Sequence, residues 1–359
     1  MGNKKLKKII FSGGGTGGSV TPLLALVDDL SENDGYEFFF IGGRAEIEKQ
    51  LVKEKKIAFA GIFSGKLRRY MSWKNFFDPF LIFLGFLQSV LMLTKQKPDL
   101  VITAGSFVSV PVAWAAWMLR IPVLIIQLDV RPGLANRIMA PTAAKVAVSF
   151  KTSLLRYGKK AVWTGAPFSV KKEKIKKKKE EIMNEYGFDK DLPLLLIMGG
   201  GTGAAAINEL VRKSIDDLSS ICNLIHISGE GKSVGLKRKN YKQIDFLPHE
   251  ELLSIIRSSD LVVSRAGLGT IVELSGLKKP AIVIPMPNSH QEDNACALSK
   301  AGAAMVLEEN EILSDNFLNM VKKLLIQDSL KNDLSKKIGD FMKENGSKNI
   351  IKLIEETLK

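Results

Sequence analysis

Cysteine is scarce: the chain of 359 residues has two, Cys222 and Cys296. They have no metal-ligand spacing and cannot build a disulfide framework, so a reducing cytoplasm is the expected setting. Residues 1–10 carry no secretory signal pattern, in keeping with that expectation. No low-complexity tract is long enough to suggest disorder, and 45% hydrophobic residues is an ordinary globular composition. Acidic residues are in deficit, 38 against 52 Lys plus Arg, which leaves a net charge of +14. Such an excess suits nucleic acid or an anionic membrane surface. No RNA-binding module, zinc finger or helix-turn-helix pattern is present, so nucleic acid is not an expected partner. No Asp-x-Asp stands in a βα loop, since Asp28-Asp29 and Asp216-Asp217 fall in helical stretches, and no metal or other cofactor is called for. The apolar run Pro79–Leu93 reads as too short for a transmembrane span and is interrupted by Gln88.

What the chain does have is a pair of glycine-rich turns. FSGGGTGGSVTP at 11–22 and IMGGGTGAAAIN at 197–208 each follow an apolar run that reads as a buried strand, and each leads into a helical stretch. Glycines in such a turn can take positive φ and present bare backbone N–H groups, beside the positive end of the following helix. One such turn is as well explained by a tight βα connection without a ligand. Two of them, opening two similar halves, point to phosphate or diphosphate binding. The length itself favours two domains. The expected architecture is α/β: two Rossmann-like domains with parallel sheets facing a central cleft, and a diphosphate-containing ligand between them.

Short apolar strands alternate with helical segments along the chain, the signature of parallel sheets covered on both faces. Strands are expected near 37–41, 57–62, 99–103, 122–127, 145–149 and 161–164, then near 194–198, 223–228, 243–247, 261–264 and 280–285. Leu84–Leu93 reads as a buried helix packed on the sheet. The stretch before it mixes Trp73, Phe76, Phe77, Phe80 and Phe83 with Lys66, Arg68, Arg69 and Lys74. Aromatic and basic residues together are what an interfacial membrane contact uses, with apolar groups inserted and cations on lipid phosphates. Asp129 opens DVRPGLAN at the carboxyl end of a strand, where ligands of open α/β sheets bind. It is a candidate for chemistry there, or else a cap of the Pro132-Gly133 turn. The lysine run at 171–179 marks a boundary between an N-terminal domain, 1–165, and a C-terminal domain, 166–344. A last helix, 345–359, is expected to cross back to the first domain.

In order, GGGTGGxxTP at 13–22, GKLRRY at 65–70, PDLVITAGSFVSVP at 98–111 and RPGLANR at 131–137 resemble the MurG family of GT-B glycosyltransferases. In the second half GGGTGAxxIN at 199–208, RAGLGTIVEL at 265–274 and HQxxNAxxLxKAGAA at 290–304 extend the resemblance over nearly the whole chain. It implies inverting transfer of N-acetylglucosamine from UDP-N-acetylglucosamine to undecaprenyl-diphosphate-N-acetylmuramoyl-pentapeptide, lipid I to lipid II, in peptidoglycan synthesis. It also implies peripheral attachment to the cytoplasmic face of the cell membrane through residues 66–83, and cell-wall synthesis proteins as further partners.

The resemblance assigns roles residue by residue. Glu273 is expected on the ribose hydroxyls and Phe246-Leu247 against the uracil. Gly200, Gly201, Thr202 and Gly203, with the helix opened by Ala266, Gly267, Leu268, Gly269 and Thr270, are expected on the donor diphosphate. His290 and Gln291 are expected on the sugar hydroxyls. Gly13, Gly14 and Gly15, with Gly105, Ser106 and Ser109, are expected to receive the acceptor's diphosphate, and Thr16, Gly17 and Gly18 join the donor set. Three positions depart from the family pattern. Ser19 stands where a His is usual, Ile126-Gln127-Leu128-Asp129 replaces His-Glu-Gln-Asn, and Ser169 replaces a common Arg. A serine hydroxyl is too weak a base alone, so Asp129 becomes the candidate general base, with Ser19 beside it at the catalytic position. A transferase with another acceptor remains the alternative. A redox dinucleotide protein is disfavoured, because the second strand ends in Ile41-Gly42-Gly43 and not in an acid. A binding scaffold would need neither Glu273 nor the two loops.

Overall fold

The computed structural model describes all residues except 1–5, 16, 45, 66–73, 169, 171, 172, 174, 201, 202 and 312–314, and leaves aside the side chains of 17, 47 and 74–77. The chain divides into two units, Met1–Phe168 with Lys343–Lys359, and Ser169–Met342.

In the first unit β1 (Lys7–Ser12), α1 (Gly17–Leu30), β2 (Tyr36–Gly42), α2 (Glu46–Glu54) and β3 (Ala58–Gly61) lead to α3 (Lys74–Gln96). There follow β4 (Leu100–Thr103), α4 (Ser109–Met118), β5 (Val123–Gln127), α5 (Leu134–Met139), β6 (Lys145–Val148), α6 (Leu154–Tyr157) and β7 (Ala161–Trp163). The seven strands form one parallel sheet in the order β3-β2-β1-β4-β5-β6-β7. Phe11 pairs with Phe40 on one side and Ile102 on the other. Because helices cover both faces, the central strands are apolar at successive positions: Ile9, Ile10 and Phe11 are all fully buried. Ile9 and Phe11 enter a core with Leu23 and Val27 of α1. Ile10 enters the opposite core, with Leu93 of α3 and Val112 and Ala116 of α4. Each such side chain contributes roughly 1.5–3 kcal/mol by leaving water.

The second unit contains α7 (Lys179–Tyr186), β8 (Leu194–Met198), α8 (Ala205–Ile221), β9 (Asn223–Ile227), β10 (Tyr241–Ile244) and α9 (His249–Ser258). It continues through β11 (Leu261–Ser264), α10 (Leu268–Leu277), β12 (Ala281–Val283), α11 (His290–Lys300), β13 (Met305–Val306), α12 (Asp315–Ile326) and α13 (Asp328–Phe341). Its sheet is also parallel, in the order β10-β9-β8-β11-β12-β13. Ile207, Leu210, Val211, Ile215 and Leu218 repeat at helical spacing along α8 and seal one face of it. The chain then returns: α14 (Gly346–Thr357) buries Ile350, Leu353 and Ile354 in the core of the first unit, beside α1. Asn349 Nδ2 donates to Thr164 O at 2.8 Å, and Ser347 Oγ bonds Asp29.

Two expectations change. The strand expected at 243–247 is Tyr241–Ile244, so Phe246 and Leu247 lie beyond its end. Leu84–Leu93 is buried on one face only. Gly85, Ser89 and Leu93 point inward at helical spacing, whereas Phe80, Phe83, Leu87 and Leu91 are 61%, 56%, 44% and 72% exposed. Helix α3 also runs on past Leu93, and its segment Asp78–Gln96 is long and apolar enough to cross a membrane by length and composition. Its inward face is nonetheless held in the fold: α4 packs along it, and Gln88 Oε1 accepts from Phe63 N at 2.9 Å.

Candidate functional site

Each sheet has a point where the chain, having run to one edge, restarts on the other side of its first strand. That point lies between β1 and β4 in the first sheet and between β8 and β11 in the second, and ligands bind outside the strand ends there. In the second unit the place is a cavity of about 330 Å³. Met198 and Gly200 line it from β8 and the glycine-rich loop, and Ile227 and Gly229 from the end of β9. Asp245, Phe246 and Leu247 come from the segment after β10, His249 and Leu252 from α9, and Gly269, Thr270 and Glu273 from α10.

The loop requires its glycines. Gly203 has φ +70°, and a Cβ there would come within 2.2 Å of Ser228 O. The first turn of α10, whose N–H groups have no intrahelical partners, forms part of the cavity wall, so the positive end of a helix meets the cavity. Glu273 stands one turn on, its side chain 14% exposed, and its Oε1 accepts from His249 Nε2 at 3.0 Å.

A buried network underlies the rim. Asn208 Nδ2 donates to Ser228 O at 3.0 Å and Lys232 O at 3.2 Å, which leaves its Oδ1 to accept from His226 Nε2 at 3.1 Å. His226 Nδ1 therefore accepts from the Tyr241 hydroxyl, at 3.0 Å. Burial pushes His226 down to about 4 and Tyr241 up to about 12, so both are neutral. Gln243 Nε2 donates to Ser228 Oγ at 3.2 Å and to Asp245 Oδ1 at 3.1 Å, and Ser228 Oγ donates to Asp245 Oδ1 at 3.0 Å. One chain of bonds thus ties α8, β9 and β10 to Asp245 and, through Ser228, to the segment carrying Gly229.

Of the expected donor residues, Gly200, Phe246, Leu247, Gly269, Thr270 and Glu273 come together in this cavity. Ala266, Gly267 and Leu268 form the turn into α10, where Asn294 Nδ2 of α11 donates to Ala266 O at 3.2 Å. His290 and Gln291 open α11 and do not line the cavity. Ser289 caps that helix, and Gln291 Oε1 accepts from Met286 N at 3.1 Å. Gly201, Thr202, Thr16 and Ser169 lie outside the described residues, as do Lys66, Arg68, Arg69 and Trp73 and the side chains of Phe76 and Phe77.

In the first unit the two turns at the switch point are fastened to each other. Ser106 Oγ donates to Gly14 O at 2.7 Å and accepts from Val108 N at 3.1 Å, and Ser109 Oγ donates to Ser12 O at 2.9 Å. Ser19 is 6% exposed, accepting from Gly14 N at 3.2 Å and donating to Gly14 O at 3.1 Å. Glu48 of α2, 2% exposed, accepts from Gly15 N and from Gly43 N, the latter at 2.8 Å. It fits because Gly14 has no side chain: a Cβ there would lie 2.5 Å from Glu48 Oε2. Ser19, Ser106 and Ser109 are turned inward, because their hydroxyls satisfy backbone groups that the tight turns would otherwise bury unpaired. Gly13 packs on the Ser19 backbone, Gly105 approaches the Asn136 amide, and Gly17 and Gly18 begin α1.

Asp129 is half-buried in the loop after β5. Gln127 holds that loop, its Nε2 donating to Asp129 O at 2.7 Å and Arg131 O at 3.4 Å. Its Oε1 accepts from Asn136 Nδ2 and Tyr157 OH, each at 2.7 Å, and burial raises the Tyr157 pKa further. Helix α5 starts after Gly133 with no side-chain cap.

Two doubly wound parallel sheets, with a glycine-rich turn at each switch point and a helix N-terminus beside a carboxylate in one of them, define a two-domain α/β glycosyltransferase of GT-B-like fold. Models of the glycosyltransferase family 28 N-terminal and C-terminal domains match residues 9–148 and 194–354. The UDP-N-acetylglucosamine–N-acetylmuramyl-(pentapeptide) pyrophosphoryl-undecaprenol N-acetylglucosamine transferase of Clostridium botulinum (strain Kyoto / Type A2) is 41% identical, over 99% of this chain and 100% of its own. The enzyme of that name from Clostridium kluyveri is 39% identical, over 98% and 99%. The chain belongs to this family, the MurG branch of glycosyltransferase family 28. The crystal structure of Acinetobacter baumannii MurG has the same fold, with a TM-score of 0.77 at 23% identity over 98% of this chain and 99% of that one. A UDP-GlcNAc 2-epimerase from Neisseria meningitidis bound to UDP-GlcNAc shares the fold at a TM-score of 0.67 and 15% identity, over 97% and 100%.

Proposed function

We propose that the protein transfers N-acetylglucosamine from UDP-N-acetylglucosamine to the muramoyl C4 hydroxyl of undecaprenyl-diphosphate-N-acetylmuramoyl-pentapeptide, converting lipid I to lipid II. The observation that carries this reading is the cavity in which the first turn of α10 and the Glu273 carboxylate share one wall. Glu273 accepts the ribose hydroxyls, a task suited to a group that is acceptor-only when ionised. The Phe246-Leu247 backbone reads the uracil. The loop Gly200–Gly203 and the turn Ala266–Thr270 hold the diphosphate, where N–H groups and the helix end stabilise the charge that grows on departing UDP. His290 and Gln291 meet the sugar hydroxyls.

In the first unit the turns at Gly13–Gly15 and Gly105–Ser109 form the floor that receives the acceptor diphosphate, and Asp129 takes the proton of the attacking hydroxyl. The exposed Phe80, Phe83, Leu87 and Leu91 of α3 support attachment to the anionic cytoplasmic face of the cell membrane. Transfer to a different acceptor is the second reading. It is favoured by Ser19 and Gln127, whose side chains are committed to internal bonds where the family pattern has a His and a Glu. Purified protein is to be incubated with UDP-N-acetylglucosamine and a short-chain lipid I analogue, and the products weighed by mass spectrometry. Lipid II is the expected product. Donor turnover only with other acceptors would favour the second reading.

A further inference from the structure

The contact between His249 and Glu273 has no counterpart among the roles assigned above. Both residues line the cavity, and their side chains meet at 3.0 Å although they are 24 positions apart in the chain. A carboxylate cannot donate, so His249 donates from Nε2 to Glu273 Oε1. Glu273 enters from α10 with a side chain 14% exposed, while His249 stands at the first position of α9, 65% exposed. The pair therefore joins a fixed acceptor to a titratable donor at the open side of the site.

We propose that His249 is a positioning residue for donor binding, orienting the Glu273 carboxylate and offsetting its charge as the anionic donor enters. This rests on the reading of Glu273 as the ribose-binding group. A carboxylate has about four lone-pair directions. One bond from His249 fixes the plane of the group and leaves enough acceptors for both ribose hydroxyls. The charge argument is independent of that count. Asp245 lines the same cavity, so a donor with a negatively charged diphosphate approaches two carboxylates. A proton on His249 lowers that opposition where it is strongest.

Among the described residues, charged groups act on His249 in both senses. Glu273 of α10 favours the protonated form, and Asp245 from the segment after β10 acts in the same sense. The N-terminal end of α9 itself opposes it. Glu250, the next residue, is engaged by Lys176 at 3.7 Å. On the side of α7, Lys177 is tied to Glu185 at 2.6 Å, and Arg257 Nη2 donates to Lys177 O. Donor binding should accordingly tighten as pH falls through the imidazole range.

Binding of UDP-N-acetylglucosamine to the full chain, without acceptor, tests this by calorimetry at about pH 6 and about pH 8, which bracket the ordinary imidazole range. Both phosphates of this ligand are esterified, so it does not titrate over that interval. Wild type should bind about fivefold to tenfold tighter at the lower pH. His249→Gln keeps a hydrogen-bond donor and should match wild type at the higher pH while losing the tightening. His249→Ala loses the hydrogen bond as well as the charge, and should bind more weakly than His249→Gln at both pH values, with no pH dependence. Wild-type affinity in His249→Ala, or a wild-type pH response in His249→Gln, would overturn the proposal. Glu273→Gln separates the two levels of the argument. If it binds donor as wild type does, the ribose reading fails. If it loses donor while His249→Ala does not, only the positioning role fails.

Discussion

At the scale of single residues, the second unit depends on a histidine that must stay neutral. His226 is fully buried, and its two ring nitrogens have opposite roles imposed by Asn208 and Tyr241. Its pKa falls from 6.5 to about 4 on burial. A depressed folded pKa means that the unfolded chain binds the proton first. The stabilisation is complete above the unfolded value and is lost as pH falls from about 6.5 toward about 4. Between pH 7 and pH 5 the loss should be about 2 kcal/mol. His226→Gln should be less stable than wild type at pH 7, with a shallower decline, as read by denaturant midpoints at the two pH values. Parallel declines would remove His226 as the cause. Both glycine-rich turns were legible in the sequence, because residue type and local spacing already mark a strand-to-helix turn, and the family resemblance singled out Glu273, which lines the cavity. His249 was not legible, since its meaning comes from a partner on another helix. Glu48 carries its own signal in the sequence: it shares a helical face with Leu51 and Val52, and an acid on an apolar face calls for buried donors.

At the scale of elements, α3 shows the limit of pattern reading. It is apolar nearly all round, so periodicity cannot say which face is covered, and only its packing against α4 separates Leu93 from Leu91. Phe83, Leu87 and Leu91 lie on one exposed stripe. Changing all three to Ser removes apolar surface that would enter a bilayer, at roughly 25 cal/mol per Å². The triple variant should keep the wild-type melting temperature and sediment with anionic vesicles at least about tenfold less. Unchanged sedimentation would move membrane attachment away from this face. The strands were easier to read, because burial on both faces writes them as continuous apolar runs. The exceptions have physical causes: Phe246 and Leu247 are apolar for the cavity and not for the sheet, and the two-residue β13 is too short to leave a pattern.

At the scale of the whole molecule, each unit has its own cores, and the first is completed by residues from the far end of the chain. Ile350→Ala together with Leu353→Ala should cost roughly 4–10 kcal/mol, taking 2–5 for each buried truncation. The melting transition of the first unit should drop steeply while affinity for UDP-N-acetylglucosamine, which the proposed function assigns to the second unit, persists. Loss of donor affinity in the same variant would mean that the two units are not separable in stability. The return of α14 also bears on the order of synthesis. Domains usually fold as they leave the ribosome, the N-terminal one first. Here the stretch that emerges first is the last to close, because until residues 346–357 are made, the face of its sheet that α14 covers lacks that cover. Throughout translation of the entire second unit the nascent chain carries an open apolar seam, and it is then that the chain has most need of a chaperone.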